Sequence, residues 1–438
     1  MAQRIQGMED LLGDSMRSWQ TMVERSRALF ETYGFEMIET PALEQLGTFV
    51  HGIGESTDVV RKEMFRAFSG ALLEDIFARG SEEGLKPRQR MALRPEGTAG
   101  VARAVVEHNL APQGASPAKL WYAGAMFRGE RPQKGRLRQF HQVGVEFFGA
   151  ADPLADAQVI VMFMDVLKAF GFESTDVKLR INSMGDAACR PAYREQVRSF
   201  ILEHKEKMCD DCLERAELNP LRAFDCKNPA CRIVMEDAPR VDDHLCDECD
   251  THYQQVKAYL DRAGIAYEED SRLVRGLDYY TRTVFEVDVC GAEDVGAIGG
   301  GGRYDGLVEL TGGKPTPGVG FALGFERIVL ALESLGKSLS GDAATGVYVA
   351  CADSELTAEA FSLSLELRRA GIRTELDSQG RSLKSQFKQA DKLGACLCII
   401  VGADEMKNNA VTVRDMESHE QELVQRDDIV AYLTERLA

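Results

Sequence analysis

Apolar and polar positions along the 438-residue chain change period several times, and each change marks an element. In SMRSWQTMVERSRALFETY (15–33) the apolar positions Trp19, Met22, Val23, Leu29, Phe30 and Tyr33 recur near helical spacing. That predicts a helix, ended by Gly34 in a left-handed conformation. FEMIETP (35–41) alternates, reads as a strand and stops at Pro41. KLWYAGAMFR (119–128), RQFHQVGVEFFG (138–149) and RTVFEVDV (282–289) read as further strands. A long polar, basic stretch joins the first two of these three, and long ordered loops tend to be functional. The strands lie close in sequence without crossover helices, so an antiparallel sheet fits better than a doubly wound parallel one.

Two stretches mark boundaries. Residues 186–258 carry Cys209, Cys212, Cys226, Cys231, Cys246 and Cys249, many charges and few long apolar runs, which suggests an insertion with its own architecture. GKSLSGDAAT (336–345) has the composition of a linker. Beyond it, VYVAC, a helix near 355–370, IRTELD, a helix near 382–393, CLCIIVG and AVTVRD alternate as a compact α/β domain. The expected fold is therefore α+β. An antiparallel-sheet body in two parts, 1–185 and 259–336, is interrupted by the insertion 186–258 and followed by an α/β domain over 341–438. No internal repeat or low-complexity tract stands out.

Composition narrows this picture. With 44% apolar residues the chain can bury several cores. No stretch approaches the roughly 18 unbroken apolar residues of a membrane helix, and MAQRIQGMEDLLGD lacks the apolar core of a secretory signal. A cytoplasmic protein with no membrane partner is expected, its eleven cysteines serving as thiols or metal ligands rather than disulfides. The net charge of -18 opposes indiscriminate nucleic-acid binding, and DNA is not an expected partner. Two local basic patches run against that total. One holds Arg128, Arg131, Lys134, Arg136 and Arg138 against Glu130 alone; the other spans 363–392 and, taken alone, reads as a solvated face.

Candidate chemistry follows from these patterns. GxxxxGK[ST] does not occur, and GVGFALG (318–324) places its third glycine one position too late for GxGxxG, so the P-loop and dinucleotide signatures are both excluded. RGERPQKGRLR (128–138) would form a concave cationic hairpin whose guanidinium forks suit phosphate oxygens, the alternative being a surface hairpin with scattered charge. Cys209-x2-Cys212 and Cys246-x2-Cys249 have the spacing of zinc knuckles. The expected ligand set of one structural zinc is these two outer pairs, against the alternative of free thiols.

Taken together, five segments resemble the class II aminoacyl-tRNA synthetases, and within them the histidine-specific family. GFEMIETPALE (34–44) is similar to motif 1, FRGERPQKGRLRQFHQVGVEFFG (127–149) to motif 2, and GVGFALGFERIVL (318–330) to motif 3. LVRGLDYYTRTVFEV (273–287) and GGGGRYDGL (299–307) resemble the histidine-specific motifs, and LRPEGT (93–98) completes the amino-acid pocket. The resemblance spans nearly the whole chain. It implies ATP-dependent ligation of histidine to its tRNA through a histidyl-adenylate, with Mg2+, in a homodimer whose C-terminal domain binds the anticodon.

Carried over residue by residue, the resemblance makes Arg128 and Arg275 catalytic at the ATP α-phosphate, Arg275 standing where relatives use a metal ion. Arg136 would also bind ATP, and Arg327 would clamp the distal phosphates. Glu96, Gly97, Thr98, Gln142 and Glu146 would bind histidine, Tyr279 and Tyr280 would close the imidazole end, and Tyr304 with its glycine run would let backbone lie close beneath the ligand. Arg131 and Gln133 are candidates for the tRNA acceptor end. Without this company the tyrosines would read as core aromatics, and glycines 299–302 as a loop. Two rival readings are a synthetase-like regulatory subunit of a phosphoribosyltransferase, which typically lacks RGLDYYT and the C-terminal domain, and a zinc-ribbon nucleic-acid-binding module, which leaves motifs 2 and 3 unexplained.

Overall fold

Helix Asp14–Thr32 opens the chain, and Gly34 follows it at φ 77°, as the spacing predicts. The structure, a computed structural model, describes residues 3–292, 294–339 and 345–437. Most of the linker-like stretch 336–345 falls at or beside 340–344, which lie outside the described residues. The chain divides into two units, Met1–Ser340 and Gly341–Ala438.

The first unit is organised by one sheet of eight strands. In chain order they are β1 (Glu36–Met37), β2 (Ala118–Phe127), β3 (Gln139–Phe148), β4 (Val177–Ser183), β5 (Glu268–Glu269), β6 (Thr281–Val289), β7 (Gly299–Arg303) and β8 (Gly318–Gly324). They lie side by side as β1-β2-β3-β8-β7-β6-β4-β5. The six central strands pair antiparallel, and only the short edge strands β1 and β5 are parallel to their neighbours. The strand expected over 35–41 shrinks to Glu36–Met37, because beyond Ile38 the chain turns away to give the Thr40 carbonyl to Arg94, at 2.6 Å.

Period-two alternation sorts this sheet into a packed face and a working face. Trp121, Val143, Val145, Phe147, Phe285, Val287, Val319, Phe321 and Leu323 point into the main core. Helix Pro153–Ala169 covers that side; Asp152 caps it by accepting from the Leu154 N–H at 2.8 Å, and Pro153 presets its first turn. Phe163 of this helix meets Phe321 and Phe285 edge-on at 4.8 and 5.5 Å between ring centres.

On the opposite face, register aligns Tyr122, Gly144, Ala322, Gly300 and Glu286 as one row across five strands. Small residues fill its middle, so the row is a trough. Glycines 299–302 are strand rather than loop. Their lack of side chains is what lets β7 fit there: a Cβ on Gly301 would stand 2.0 Å from the Gly320 carbonyl.

The segment after β4 is helical: Arg190–Glu203, Asp210–Leu218, Pro229–Met235 and Asp247–Arg262. Its buried residues include Val197, Ile201, Cys212, Cys231 and Met235. The C-terminal unit has a five-stranded sheet from β9 (Thr345–Cys351), β10 (Thr374–Leu376), β11 (Ala395–Val401), β12 (Ala410–Asp415) and β13 (Gln421–Gln425), ordered β10-β9-β11-β12-β13. Helices Thr357–Arg369 and Leu383–Lys392 match the expected positions, whereas β13 and helix Ile429–Arg436 add to them. Within the second basic patch, Arg368 donates to the Thr374 carbonyl and Arg381 pairs with Asp377, so part of its charge is used internally.

Candidate active site

The trough continues into a cleft of about 970 Å³, open mouth included, bounded by Arg128, Arg136, Arg275 and Arg327 on one side and by Glu96, Thr98, Gln142, Tyr279, Tyr280 and Tyr304 on the other. Arg128 leaves the end of β2, Gln142 stands on β3, Arg327 lies in the first turn of helix Phe325–Ser334 directly after β8, and Arg275 precedes β6. Glu146 and Gly97 do not border the opening. Arg131 and Gln133 sit exposed at the hairpin tip, where Gln133 and Arg136 exchange backbone hydrogen bonds at 2.9 Å.

Burial and hydrogen bonding preform one end. Glu96 accepts from the Thr98 and Ala99 N–H groups at 2.7 and 2.8 Å, capping the helix Thr98–Glu107 with its carboxylate. Glu146, with no exposed surface, accepts from the Thr98 hydroxyl at 2.6 Å and from the Tyr304 hydroxyl. Burial, with Glu96 nearby, pushes the Glu146 carboxyl up to about 8, although the Thr98 and Tyr304 hydroxyls pull the other way. Burial raises Glu96 too. The Gln142 side-chain oxygen is buried without a hydrogen-bond partner, an acceptor left for something that enters.

The other end is cationic and held by exchangeable partners. Arg275 pairs with Glu286, and Arg136 with Glu130 at 3.4 Å. Arg128 donates to the Pro95 carbonyl at 3.0 Å and lies 5.1 Å from the centre of the Phe140 ring. Arg327 donates to the carbonyls of Gly135 and Ala297 at 3.2 and 2.7 Å. Burial and the Arg136 charge lower its pKa, so an arriving anion would relieve both. Gly300 keeps the floor low beside Arg275, since a Cβ there would stand 3.0 Å from an Arg275 nitrogen.

Sequence reasoning missed Tyr122, Glu130 and Glu286. Tyr122 is buried, with its ring wedged against Gly97 and Gly144, where added Cβ atoms would stand 2.2 and 2.5 Å from its ring carbon Cζ. The signal was available, because Tyr122 opposes Gly144 and so shares a face with Gln142 and Glu146. Glu286 likewise alternates with the core residues Phe285 and Val287.

The cysteines depart from expectation. The two outer pairs do not meet: Cys209 and Cys212 converge with Cys226 and Cys231, while Cys246 and Cys249 converge with Cys189 and Asp186. The expected set of Cys209, Cys212, Cys246 and Cys249 is therefore not one site. Cys209 and Cys212 belong to the N-terminal turn of helix Asp210–Leu218, and Cys246 and Cys249 to that of helix Asp247–Arg262, which draws each pair to a different partner. Cys189 had escaped attention as a partner.

Known proteins resemble this chain closely. Residues 85–328 match the histidyl-tRNA synthetase family profile, and residues 346–436 match an anticodon binding domain. A histidine–tRNA ligase of Anaeromyxobacter sp. (strain K) is 43% identical over 429 residues, 98% of each chain. Another, of Pelotomaculum thermopropionicum, is 44% identical over 437 residues, 99% of this chain and 98% of its own. The crystal structure of apo S. aureus histidyl-tRNA synthetase aligns with a TM-score of 0.79 at 34% identity, covering 99% of this chain and 100% of that one. The antiparallel sheet with its arginine-bearing hairpin and strand-into-helix arginine is the class II aminoacyl-tRNA synthetase fold. The chain belongs to the histidyl-tRNA synthetase family. Its reaction is the ATP-dependent charging of tRNA with histidine, and like the class it uses ATP with Mg2+. Among the described residues no helix is long and apolar enough to cross a membrane.

Proposed function

We propose that the buried carboxylate end of the cleft binds histidine and the arginine end binds ATP, so that the two meet over the trough. The observation that carries this reading is the convergence of Arg128, Arg275 and Arg327 on one cavity that also holds Glu96, Gln142 and the tyrosines. Glu96 and Gln142 would receive the substrate's ammonium and ring N–H groups, Glu146 would join them from behind Thr98 and Tyr304 as the pocket fills, and Tyr279, Tyr280 and Tyr304 would close the imidazole end. Gly97 would act through Tyr122, which it allows to pack close. A pocket whose polar groups are satisfied only by imidazole N–H groups can reject isosteres by about four orders of magnitude.

Chemistry then needs little from the protein beyond placement. The histidine carboxylate is already anionic, so it attacks the α-phosphorus without a general base, and the bond to pyrophosphate breaks in line as the new P–O bond forms. Arg128 and Arg275 would neutralise the charge gathering on the α-phosphate, and Arg327 and Arg136 that on the leaving group. Glu286 and Glu130 hold Arg275 and Arg136 in place until phosphate oxygens take over. A ribose hydroxyl of the tRNA's terminal adenosine next attacks the mixed anhydride and releases AMP, with Arg131 and Gln133 reaching the acceptor end.

The same reading assigns 1–185 and 259–336 to catalysis, 341–438 to the anticodon, and the molecule to the cytoplasm. It makes the protein a homodimer: edge strand β1 and its continuation carry Met37 and Leu43 with 46% and 40% of their surface exposed, apolar area a second copy would cover. Of the expected zinc ligands it keeps the Cys209–Cys212 pair but gives it Cys226 and Cys231 as partners in place of Cys246 and Cys249. Cys209 Sγ and Cys226 Sγ lie 3.8 Å apart, and the Cys209 N–H donates to Cys231 Sγ at 3.2 Å.

Histidine-dependent exchange of labelled pyrophosphate into ATP tests the site assignment. Wild-type protein should exchange, and Arg128→Ala should lose most of that exchange while remaining folded. An Arg128→Ala protein with wild-type exchange would overturn the assignment.

A further inference from the structure

We infer a second metal centre at the root of the insertion, a zinc ion held by Asp186, Cys189, Cys246 and Cys249. The four residues come as two knuckles of equal spacing, Asp186-x2-Cys189 after β4 and Cys246-x2-Cys249 entering helix Asp247–Arg262. One oxygen and three sulfurs from them all lie within 4.8 Å of one another.

Two of their separations match the edges of a tetrahedron. With Zn–S near 2.3 Å and Zn–O about 2.0–2.2 Å, its edges are about 3.8 Å between sulfurs and about 3.6 Å between sulfur and oxygen. Cys189 Sγ and Cys249 Sγ are 3.8 Å apart, and Asp186 Oδ1 lies 3.6 Å from Cys189 Sγ. All three cysteines are free thiols. A disulfide would join two of them, leaving the third cysteine and the carboxylate without a role.

Surrounding groups orient the donors as outer partners of a metal site do. Asp186 turns one oxygen toward the sulfurs and gives the other to Arg282, at 3.3 Å. The Asp186 N–H donates to Cys189 Sγ at 3.3 Å. Gly185 is at φ 63°, and a Cβ on it would stand 2.7 Å from that sulfur, so the knuckle closes only around glycine. Three thiolates and a carboxylate leave a zinc site with net negative charge, which Arg282 partly offsets.

The centre would join the knuckle after β4 to the start of helix Asp247–Arg262, and the first of these is already bonded to the turn that begins β6. The Met184 N–H donates to the Arg282 carbonyl at 2.6 Å, the Arg282 N–H to the Gly185 carbonyl at 2.8 Å, and Arg190 to the Tyr280 carbonyl at 2.7 Å. The ion would therefore brace the turn that begins β6 against the helix that ends the insertion.

Metal content of the full chain, purified without added zinc, tests the inference independently of the reading of the cleft. A Cys209→Ser/Cys212→Ser variant should keep about one zinc per chain, and a Cys246→Ser/Cys249→Ser variant should lose about one relative to wild type. Arg282→Met, which removes no ligand, should weaken zinc retention against a chelator by about ten- to a hundredfold. A Cys209→Ser/Cys212→Ser protein that is folded by circular dichroism and carries no zinc would overturn the second centre. So would unchanged zinc content in Cys246→Ser/Cys249→Ser, or a disulfide between Cys189 and Cys249 in protein isolated under reducing conditions.

Discussion

The two ends of the cleft are built on opposite plans. At the carboxylate end, Glu146 is fully enclosed and Glu96 nearly so, both already hydrogen-bonded among Thr98, Ala99 and Tyr304 and backed by the wedged ring of Tyr122. At the arginine end the charges are paired with groups an anion can displace: Arg275 with Glu286, Arg136 with Glu130, Arg327 with backbone carbonyls. A small, uniquely shaped amino acid is best selected by a rigid, desolvated pocket. A triphosphate that must arrive, react and leave as pyrophosphate is better held by groups with somewhere to return. On the proposed reading, specificity and turnover are thus separated along one trough.

The largest expected effect tests that separation. Arg275→Ala should slow adenylate formation, read as pyrophosphate exchange, by about 10²–10³-fold, the scale for removing a charge-stabilising donor. The histidine KM should stay within about twofold, because uniform binding is untouched. A change confined to KM would break the comparison. Glu146→Gln should do the reverse: a lost charge-assisted hydrogen bond of about 1.5–3 kcal/mol corresponds to a histidine KM about 10- to 100-fold higher, with the ATP KM little changed. Equal losses for both substrates would mean that the two ends are one unit.

Much of this was legible before the structure. Strands 119–128, 138–149 and 282–289 appear nearly residue for residue, because each is long and its alternation is clean. Motif resemblance singled out the arginines and carboxylates, and the structure brings Arg128, Arg136, Arg275, Arg327 and Glu96 to one cleft. Tyr122 and Glu286 were not singled out, although alternation places both on the face of Gln142. Seeing that requires register between strands far apart in sequence, which no single stretch encodes. The glycine run carries no strand signal of its own for a related reason: Gly299–Gly302 is strand only because β6 and β8 flank it. The cysteines failed differently. Spacing identifies a knuckle but not its partner, and the Cys246 pair found Asp186 and Cys189, sixty residues away in sequence, rather than Cys209 and Cys212.

A smaller effect should appear outside the cleft altogether. Arg131 and Gln133 are exposed at the hairpin tip, and neither side chain borders the cleft. Replacing both by alanine should leave pyrophosphate exchange intact while lowering charging by about tenfold, with a weaker salt dependence of tRNA affinity as a phosphate contact is lost. A drop in exchange would show that the tip also positions ATP, and the hairpin would then belong to the arginine end.

The subtlest difference between the ends lies in protonation. Burial first, and then the Glu96 charge, holds the Glu146 carboxyl up at about 8 against an ordinary value of 4.5. Between those limits the folded, ligand-free protein keeps a proton that the unfolded chain releases. The resulting stability is fully present below about pH 4.5 and is lost as pH rises through about 8. Many other groups titrate across this window, so the informative quantity is the Tm of wild type minus that of Glu146→Gln. That difference should fall as pH rises through the window, by about 2–4 °C for each kcal/mol involved. Saturating histidine should remove the trend, since its ammonium and ring N–H favour the carboxylate. Parallel Tm curves with and without histidine would mean that Glu146 enters the folded state already charged. The carboxylate end would then be held by exchangeable charge, as the arginine end is, and the contrast between the two would reduce to sign.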